Sequence, residues 1–213
     1  MNDKKISMAV IKRLPKYLSY LLDLIERGVI RTSSRELSQL TGFTASQIRQ
    51  DLNNFGGFGQ QGYGYHTEEL YHEIRKILGL DIPHPMILVG AGNMGHAITN
   101  YIGFEKMGFK IIALFDINPD LIGEKVRGIE IFNVSRIDEF VKSNKVDIAI
   151  ITLPKADAPK MGERLVKLGI KSIWNFSLID LKLPSNIVVE NVHLSESLMT
   201  LAYRVRIDGE KNK

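Results

Sequence analysis

The sequence predicts an α/β protein in two parts, a short helical module closed by a glycine-rich hairpin and then a doubly wound parallel sheet. Three observations carry that reading. Up to about Leu80 the apolar residues follow helical spacing with no convincing apolar strand, whereas from Met86 onward short apolar runs alternate with amphipathic stretches. The first of those runs leads straight into Gly90-x-Gly92-x-x-Gly95. The next, Ile111–Phe115, ends on an acid, Asp116, about twenty residues past the last glycine.

In the first part, Leu14, Leu18, Leu21, Leu22 and Ile25 recur on one helical face, and Gly28 ends that helix. Pro15 belongs to a first turn or a kink. Ser33 or Ser34 caps a short helix, Arg35 to Leu40, which stops at Gly42. Thr44 caps a third, Ala45 to Asn54. Phe55 to Tyr65 then sets five glycines among aromatics and reads as a tight hairpin. A helix near Thr67–Leu78 follows, and Gly79 to Pro85, closed by two prolines, reads as a linker. Helix, helix, glycine turn, helix and hairpin describe a winged helix-turn-helix over residues 1–80. Such a module lays its third helix in the major groove of DNA. There Ser46, Gln47, Arg49 and Gln50 suit base edges and phosphates, while Ile48 and Leu52 turn to the core. Lys12, Arg13, Lys16 and Arg31 are phosphate-contact candidates, joined by Ser33 and by Gln60, Gln61 and Tyr63 at the wing tip.

In the second part, residues 81–192, apolar runs at Met86–Val89, Ile111–Phe115, Val146–Leu153, Ile170–Trp174 and Ile187–Val189 predict strands of a Rossmann sheet. Ser135 to Asp138 has the spacing of a capping box. In the fingerprint, Gly90 makes the tight turn, Gly92 lets a pyrophosphate approach the backbone, and Gly95 lets helix and strand pack closely. The candidate cofactor set is Gly90, Ala91, Gly92, Asn93, Met94, Gly95, Asp116, Ile117, Thr152, Leu153 and Pro154. Asp116 would accept the ribose hydroxyls and repel a 2′-phosphate, which favours NAD over NADP. The last segment, residues 193–213, carries a helix at Ser195–Ile207. It places Leu194, Leu198, Leu201, Ala202 and Val205 on one face, either to cover the sheet or to meet another subunit.

Composition narrows the class. Hydrophobic content of 44% and charged content of 24% are those of a soluble globular protein. The chain has no cysteine, which excludes disulfides, thiolate metal sites, a catalytic thiol and thiol-based redox sensing. No signal peptide or membrane span is predicted, which fits the cytoplasm. The net charge of +4 lies wholly in residues 1–63, with nine Lys/Arg against five Asp/Glu; the remainder holds nineteen of each. That asymmetry suits a polyanion-binding N-terminal module. His84, His96 and His193 read as linker, helix-surface and interface residues, and no metal site is predicted.

The whole chain, from about Ser7 to Val205, resembles the Rex family of redox-sensing transcriptional repressors. The likeness rests on Ile11-Lys-Arg-Leu-Pro-Lys-Tyr17, Ser33-Ser-Arg-Glu-Leu37, Gln47-Ile-Arg-Gln-Asp-Leu52 and Phe55-Gly-Gly-Phe-Gly59. It continues through Gly90-Ala-Gly-Asn-Met-Gly-His-Ala97, Tyr101 with Gly103-Phe104, Asn175-Phe176 and Val189-Glu-Asn-Val192. The resemblance implies a homodimer that exchanges its C-terminal helices. It implies binding to an inverted-repeat operator when NAD+ dominates, and release when NADH binds at the dimer interface. It places Arg13 near the interface between winged helix and cofactor domain, and Tyr101 and Phe176 near the nicotinamide. Phe104 would complete an apolar nicotinamide pocket with them. Two positions depart from the family. His193 stands where an acid is common, and an imidazole cannot repeat that acid's pairing with the helix-one arginine, so the pairing is kept only if Glu190 or Glu196 takes it over. Gln60 and Gln61 stand where the wing is usually basic.

Two rival readings are an NAD-dependent oxidoreductase and an NAD-binding regulatory subunit that meets protein rather than DNA. Little more than a hundred residues follow the fingerprint, and they carry neither a Tyr-x-x-x-Lys pair nor a His–acid set for hydride chemistry.

Overall fold

The computed structural model describes residues 6–60 and 63–211. The chain divides into two compact units, the first ending at Ile82 and the second beginning at Pro83.

In the first unit, α1 (Met8–Ile11) is a single turn whose Ala9 N–H donates to the Ser7 hydroxyl at 3.2 Å. α2 (Leu14–Glu26) follows with Pro15 in its first turn, where a missing N–H loses no helical bond. Leu14, Leu18 and Leu21 are buried, but Leu22, expected beside them, is 41% exposed. The buried stripe leans the other way and takes in Tyr17 instead. β1 (Arg31–Thr32) comes next, then α3 (Ser34–Thr41). Ser33 is the cap, and it forms a complete box: its hydroxyl accepts the Glu36 N–H at 3.2 Å, and its own N–H donates to the Glu36 carboxylate at 2.7 Å. Gly42, at φ 75°, ends the helix in the left-handed region. α4 (Ala45–Asn53) starts from Thr44, whose hydroxyl accepts the Gln47 N–H at 3.1 Å.

β2 (Gly59–Gln60) and β3 (Gly64–His66) form the hairpin, and β3 lies between β2 and β1 in a three-stranded antiparallel sheet. A side chain at Gly64 would stand 2.4 Å from the Thr32 carbonyl, so the strands close only on glycine. α5 (Thr67–Ile77) has Glu68 and Glu69 in its first turn and Arg75 and Lys76 in its last, both favourable to the helix dipole. Leu14, Leu21, Leu37, Ile48, Leu70 and Ile74 make the core of this winged helix.

The second unit contains β4 (His84–Val89), α6 (Asn93–Asn100), α7 (Gly103–Lys106), β5 (Phe109–Asp116), β6 (Lys125–Val126), β7 (Ile129–Asn133), α8 (Ile137–Ser143), β8 (Ile148–Ile151), α9 (Ala158–Lys167), β9 (Ser172–Asn175), β10 (Val188–Asn191) and α10 (Leu194–Lys211). The sheet order is β10-β9-β8-β4-β5-β7-β6, parallel throughout except for the β6–β7 hairpin at the edge. This is the Rossmann order, and it reverses between β4 and β8, where such folds open a ligand crevice. Alternate strand residues face opposite ways. Ile87, Val89, Ala113 and Phe115 bury one face with Ala158 and Leu165 of α9. Met86, Leu88, Leu114 and Ile150 bury the other with Ile98 of α6.

Four sequence expectations change here. Pro85 is not linker but the second residue of β4, at a strand start where its missing N–H is tolerated. β6 and β7 add a hairpin where no strand was expected. The box at Ser135–Asp138 does not form: the Asn133 carboxamide accepts the Ser135 N–H at 2.9 Å, a 3-10 turn (Val134–Arg136) intervenes, and Asp138 turns to Arg164. α10 does not cover the sheet of its own chain, since Leu198 is 65% and Val205 65% exposed. Among the described residues, no helix is long and apolar enough to cross a membrane.

Candidate dinucleotide and DNA sites

Three glycines do separate work after β4. Gly90 has φ 104°, and a side chain there would meet the Thr152 carbonyl at 2.8 Å. Thr152 closes the contact by donating its hydroxyl to the Gly90 carbonyl at 2.6 Å. At Gly95 an added Cβ would stand 2.2 Å from the Gly90 carbonyl, because α6 presses directly on the turn. At Gly92 nothing lies within 4 Å of that position. Gly92 is also the N-cap of α6 and makes no side-chain cap, so the leading N–H groups of the helix are open to an anion.

Asp116 ends β5 and grips this turn. One carboxylate oxygen accepts the Ala91 N–H at 2.6 Å; the other accepts the Ile117 and Asn118 N–H groups at 2.7 and 2.8 Å. The first oxygen keeps a lone pair for one hydroxyl. Gly90, Gly92, Asp116, Ile117, Thr152, Leu153 and Pro154 line one cavity of about 670 Å³, within the range of small-molecule sites. The remaining candidates stand behind or beside it: Ala91 is buried, Asn93 is exposed at the helix start, and Met94 packs under the sheet. Lys160 and Asp157, from the start of α9, also line the cavity and had no spacing signal in the sequence.

The aromatic candidates form a ladder. Tyr101 follows α6 and is 56% exposed. Its ring meets Phe104 edge-on at 4.7 Å, Phe104 meets Trp174 at 5.4 Å, and Trp174 meets Phe176 at 4.6 Å. Trp174 was not anticipated as the joining ring. Phe176 is held at the strand ends, where its N–H donates to the Ile151 carbonyl at 2.8 Å. The preceding Asn175 is fully buried; its amide donates to the Ile179 carbonyl and the Asn191 carboxamide at 2.7 and 2.8 Å, fixing the loop that follows. Beside the ladder lies an apolar hollow of about 460 Å³, lined by Met86, Phe104, Ile148, Trp174 and Val188 among others. His193, just before α10, has Nδ1 at 2.9 Å from Glu196 and Nε2 at 3.5 Å from Asp180, so Glu196 pairs with the imidazole itself.

On α4, Ser46, Arg49 and Gln50 are exposed, Gln47 is half-buried, and Ile48 and Leu52 are buried as expected. Ser46, Arg49 and Gln50 line a shallow polar recess with Asn53, which sequence reading missed although it lies one turn beyond Arg49. Arg49 donates to the Ser34 hydroxyl at 3.1 Å, and Arg31 donates to the Tyr63 carbonyl at 3.2 Å, bracing the wing. Lys12, Lys16 and Tyr63 are exposed. Ser33 uses one acceptor lone pair on the cap and keeps its O–H and a second lone pair to offer. Gln60 lies in β2, and Gln61 lies outside the described residues.

Arg13 has a partner that the sequence did not show. Its Nε and Nη2 both donate to Asp51 at 2.6 Å, and the Tyr17 hydroxyl donates to the same carboxylate at 2.7 Å. Asp51 is 2% exposed on the inner side of α4, and a buried carboxylate needs such partners. Arg13 is therefore the counter-ion of Asp51 through Nε and Nη2. Burial pushes the Asp51 carboxyl up, but hydrogen bonds from Arg13 and Tyr17 outweigh it and hold the group below the usual carboxylate range.

Residues 81–179 match the family model described as CoA binding domain, and residues 5–53 match that described as "Putative DNA-binding protein N-terminus". A redox-sensing transcriptional repressor Rex from Clostridioides difficile (strain 630) is 57% identical over 206 residues, covering 97% of this chain and 98% of that protein. A Rex from Thermoanaerobacter pseudethanolicus is 57% identical over 201 residues, covering 94% and 90%. Among solved structures, RSP in complex with beta-NAD+ and operator DNA superposes with a TM-score of 0.92 at 54% identity, covering 99% of this chain and 97% of that one. RSP in complex with beta-NADH superposes at 0.90 with 52% identity, covering 99% and 100%.

Proposed function

The chain belongs to the Rex family of redox-sensing transcriptional repressors, and we propose from that premise how its own residues join cofactor to operator. It is a regulator, not an oxidoreductase: it binds operator DNA while NAD+ dominates and leaves it when NADH is bound. In this reading Gly92 and the first N–H groups of α6 hold the pyrophosphate, and Asp116 receives a ribose hydroxyl and turns away a 2′-phosphate. The nicotinamide supplies the signal, since its ring is cationic when oxidised and neutral when reduced. Tyr101, Phe104 and Phe176 then prefer the neutral ring, because aromatic edges and apolar walls solvate a cation poorly without water. A ligand shifts an equilibrium only by its differential affinity, and a tenfold preference is worth about 1.4 kcal/mol.

The reading also requires two copies. Leu194, Leu198, Leu201, Ala202 and Val205 give α10 an apolar face that its own chain leaves in solvent, and a second copy exchanging the same helix would cover it. Two recognition helices then meet half-sites about one DNA turn apart, or a multiple of it, with Ser46, Gln47, Arg49 and Gln50 at the bases and Lys12, Lys16 and Arg31 at the phosphates. Such a protein works in the cytoplasm, where the nicotinamide pool and the chromosome are.

The observation that carries this reading is the open position at Gly92, set between the grip of Asp116 and the free start of α6. The test is titration of a labelled palindromic duplex against NADH and against NAD+, followed by anisotropy. Release by NADH at concentrations where NAD+ leaves the complex intact is expected; equal release by both would overturn the reading.

A further inference from the structure

Among the described residues, Arg127 is the one non-glycine with positive φ, at 52°. With Gly128, at φ 80°, it makes the two-residue turn between β6 and β7, whose register pairs Val126 with Ile129. Left-handed backbone at both turn positions is the type I′ hairpin, which favours Asn, Asp or Gly at the first. An arginine there is strained, and strain of this kind persists where the surroundings hold it for a purpose.

The side chain has that purpose. Its Nη1 donates to the Thr99 carbonyl at 3.3 Å, and its Nη2 stands 3.3 Å from the Glu105 carboxylate. Thr99 lies in the last turn of α6, whose closing carbonyls have no helical partner of their own. Glu105 lies in α7. The planar fork therefore ties the two helices together across the corner that carries Tyr101 and Ile102. The corner is tight: a side chain at Gly103 would come within 2.5 Å of the Tyr101 ring, so that ring lies directly over the Gly103 backbone. The Thr99 hydroxyl donates to the Gly95 carbonyl at 2.8 Å, which links the same corner to the fingerprint helix.

We propose that Arg127 is a positioning residue for the nicotinamide end of the pocket, holding the α6–α7 corner so that Tyr101 stands over Gly103 beside Phe104. The assignment rests on the reading above that Tyr101 meets the nicotinamide. It concerns a residue far from the glycine turn in sequence and outside the cavity at Gly92.

The experiment compares NADH with ADP-ribose, which shares everything but the nicotinamide, by calorimetry on the full-length protein. Arg127→Asn relaxes the turn while removing the fork. It should melt no lower than the parent and bind ADP-ribose within about twofold, yet lose roughly fivefold or more in NADH affinity. Arg127→Lys keeps the charge but cannot span both partners, and it should show the same selective loss. Glu105→Ala removes one arm without touching the turn, so it serves if the turn variants fold poorly, with a smaller selective loss expected. Equal weakening of both ligands would make Arg127 a support of α6 only, and no change in either would make the fork idle; both overturn the proposal. Tyr101→Ala separates the two readings. If it erases the margin of NADH over ADP-ribose while the Arg127 and Glu105 variants keep that margin, the clamp alone falls. If it leaves the margin intact, the placement of the nicotinamide falls first and takes the clamp with it.

Discussion

Asp51 is a buried charge on which the winged helix depends. It fastens α4 to the start of α2 through Arg13 and Tyr17, so it sets the pitch at which the DNA-reading face is presented. Asp51→Ala leaves a guanidinium and a phenol without their shared partner, and breaking such a buried pair costs about 3–5 kcal/mol. The urea midpoint of the N-terminal module should fall accordingly, and operator affinity with it. The pH dependence has a definite sign. The folded carboxyl titrates below its ordinary value, so its contribution is complete above the unfolded value near 4 and is lost as pH falls through the folded one. Burial and then the Asp51 carboxylate push the Tyr17 phenol up, so its contribution holds below about pH 10 and is lost as pH rises through its folded value. Urea melts from pH 5 down to 2 should show a slope that Asp51→Asn flattens; an unchanged slope would remove Asp51 from the account. In the sequence Asp51 looks like one more polar position on an amphipathic helix. Its partner lies 38 residues away, and nothing local marks the pair.

The element that the sequence predicts best is the β4–turn–α6 unit, because its constraints are short-range. Gly90 and Gly95 each answer to an atom a few residues off or beside the neighbouring strand, and Gly92 keeps the opening between them, so spacing alone identifies the turn. The last two glycines should nevertheless behave differently. Gly92 has φ −73°, which any residue adopts, and open space beyond it. Gly92→Val should therefore keep the thermal midpoint within a degree or two but lose NADH binding, since its side chain would fill the cradle. Gly95→Ala should lose both, because its Cβ would meet the Gly90 carbonyl, and overpacking of this kind costs about 1–3 kcal/mol. A thermal shift assay with and without NADH separates the outcomes; a Gly92→Val protein that still binds would deny the turn its role. Elements fixed by distant partners were less legible. β7 carries Glu130 and Asn133 among its apolar residues and has no run long enough to stand out, and it is a strand because β5 offers it an edge. The Ser135 box failed because Asn133, two residues earlier, reached the same N–H first. Trp174 meets Phe176 two residues on, but it joins the aromatic ladder through Phe104, 70 residues earlier, which only the packing of the sheet brings against it.

At the scale of the molecule, the unsatisfied feature is α10. Its apolar residues recur at helical spacing, yet Leu194, Leu198, Leu201 and Val205 are all exposed in the single chain. Large apolar faces left in water mark an interface. The sequence showed the face but not what covers it, because periodicity reports amphipathicity and not the identity of the neighbour. A second copy is the occupant that also serves DNA reading, since two linked recognition helices turn the second half-site contact into an intramolecular one. Linkage of that kind raises affinity by about 10² or more without any new contact. Replacing both Leu198 and Leu201 by Glu tests this at the right place. Neither side chain is buried within its own chain, so each subunit should keep its fold. Light scattering should then report the 24.0 kDa of one chain instead of twice that mass. Affinity for a palindromic operator should fall about a hundredfold, and the dependence of log K on log salt should become shallower as one set of phosphate contacts is lost. A doubly substituted protein that runs as a single chain yet grips the palindrome as firmly as the parent would remove the need for a second copy, and with it the route by which a cofactor pocket could change the spacing of two groove-reading helices.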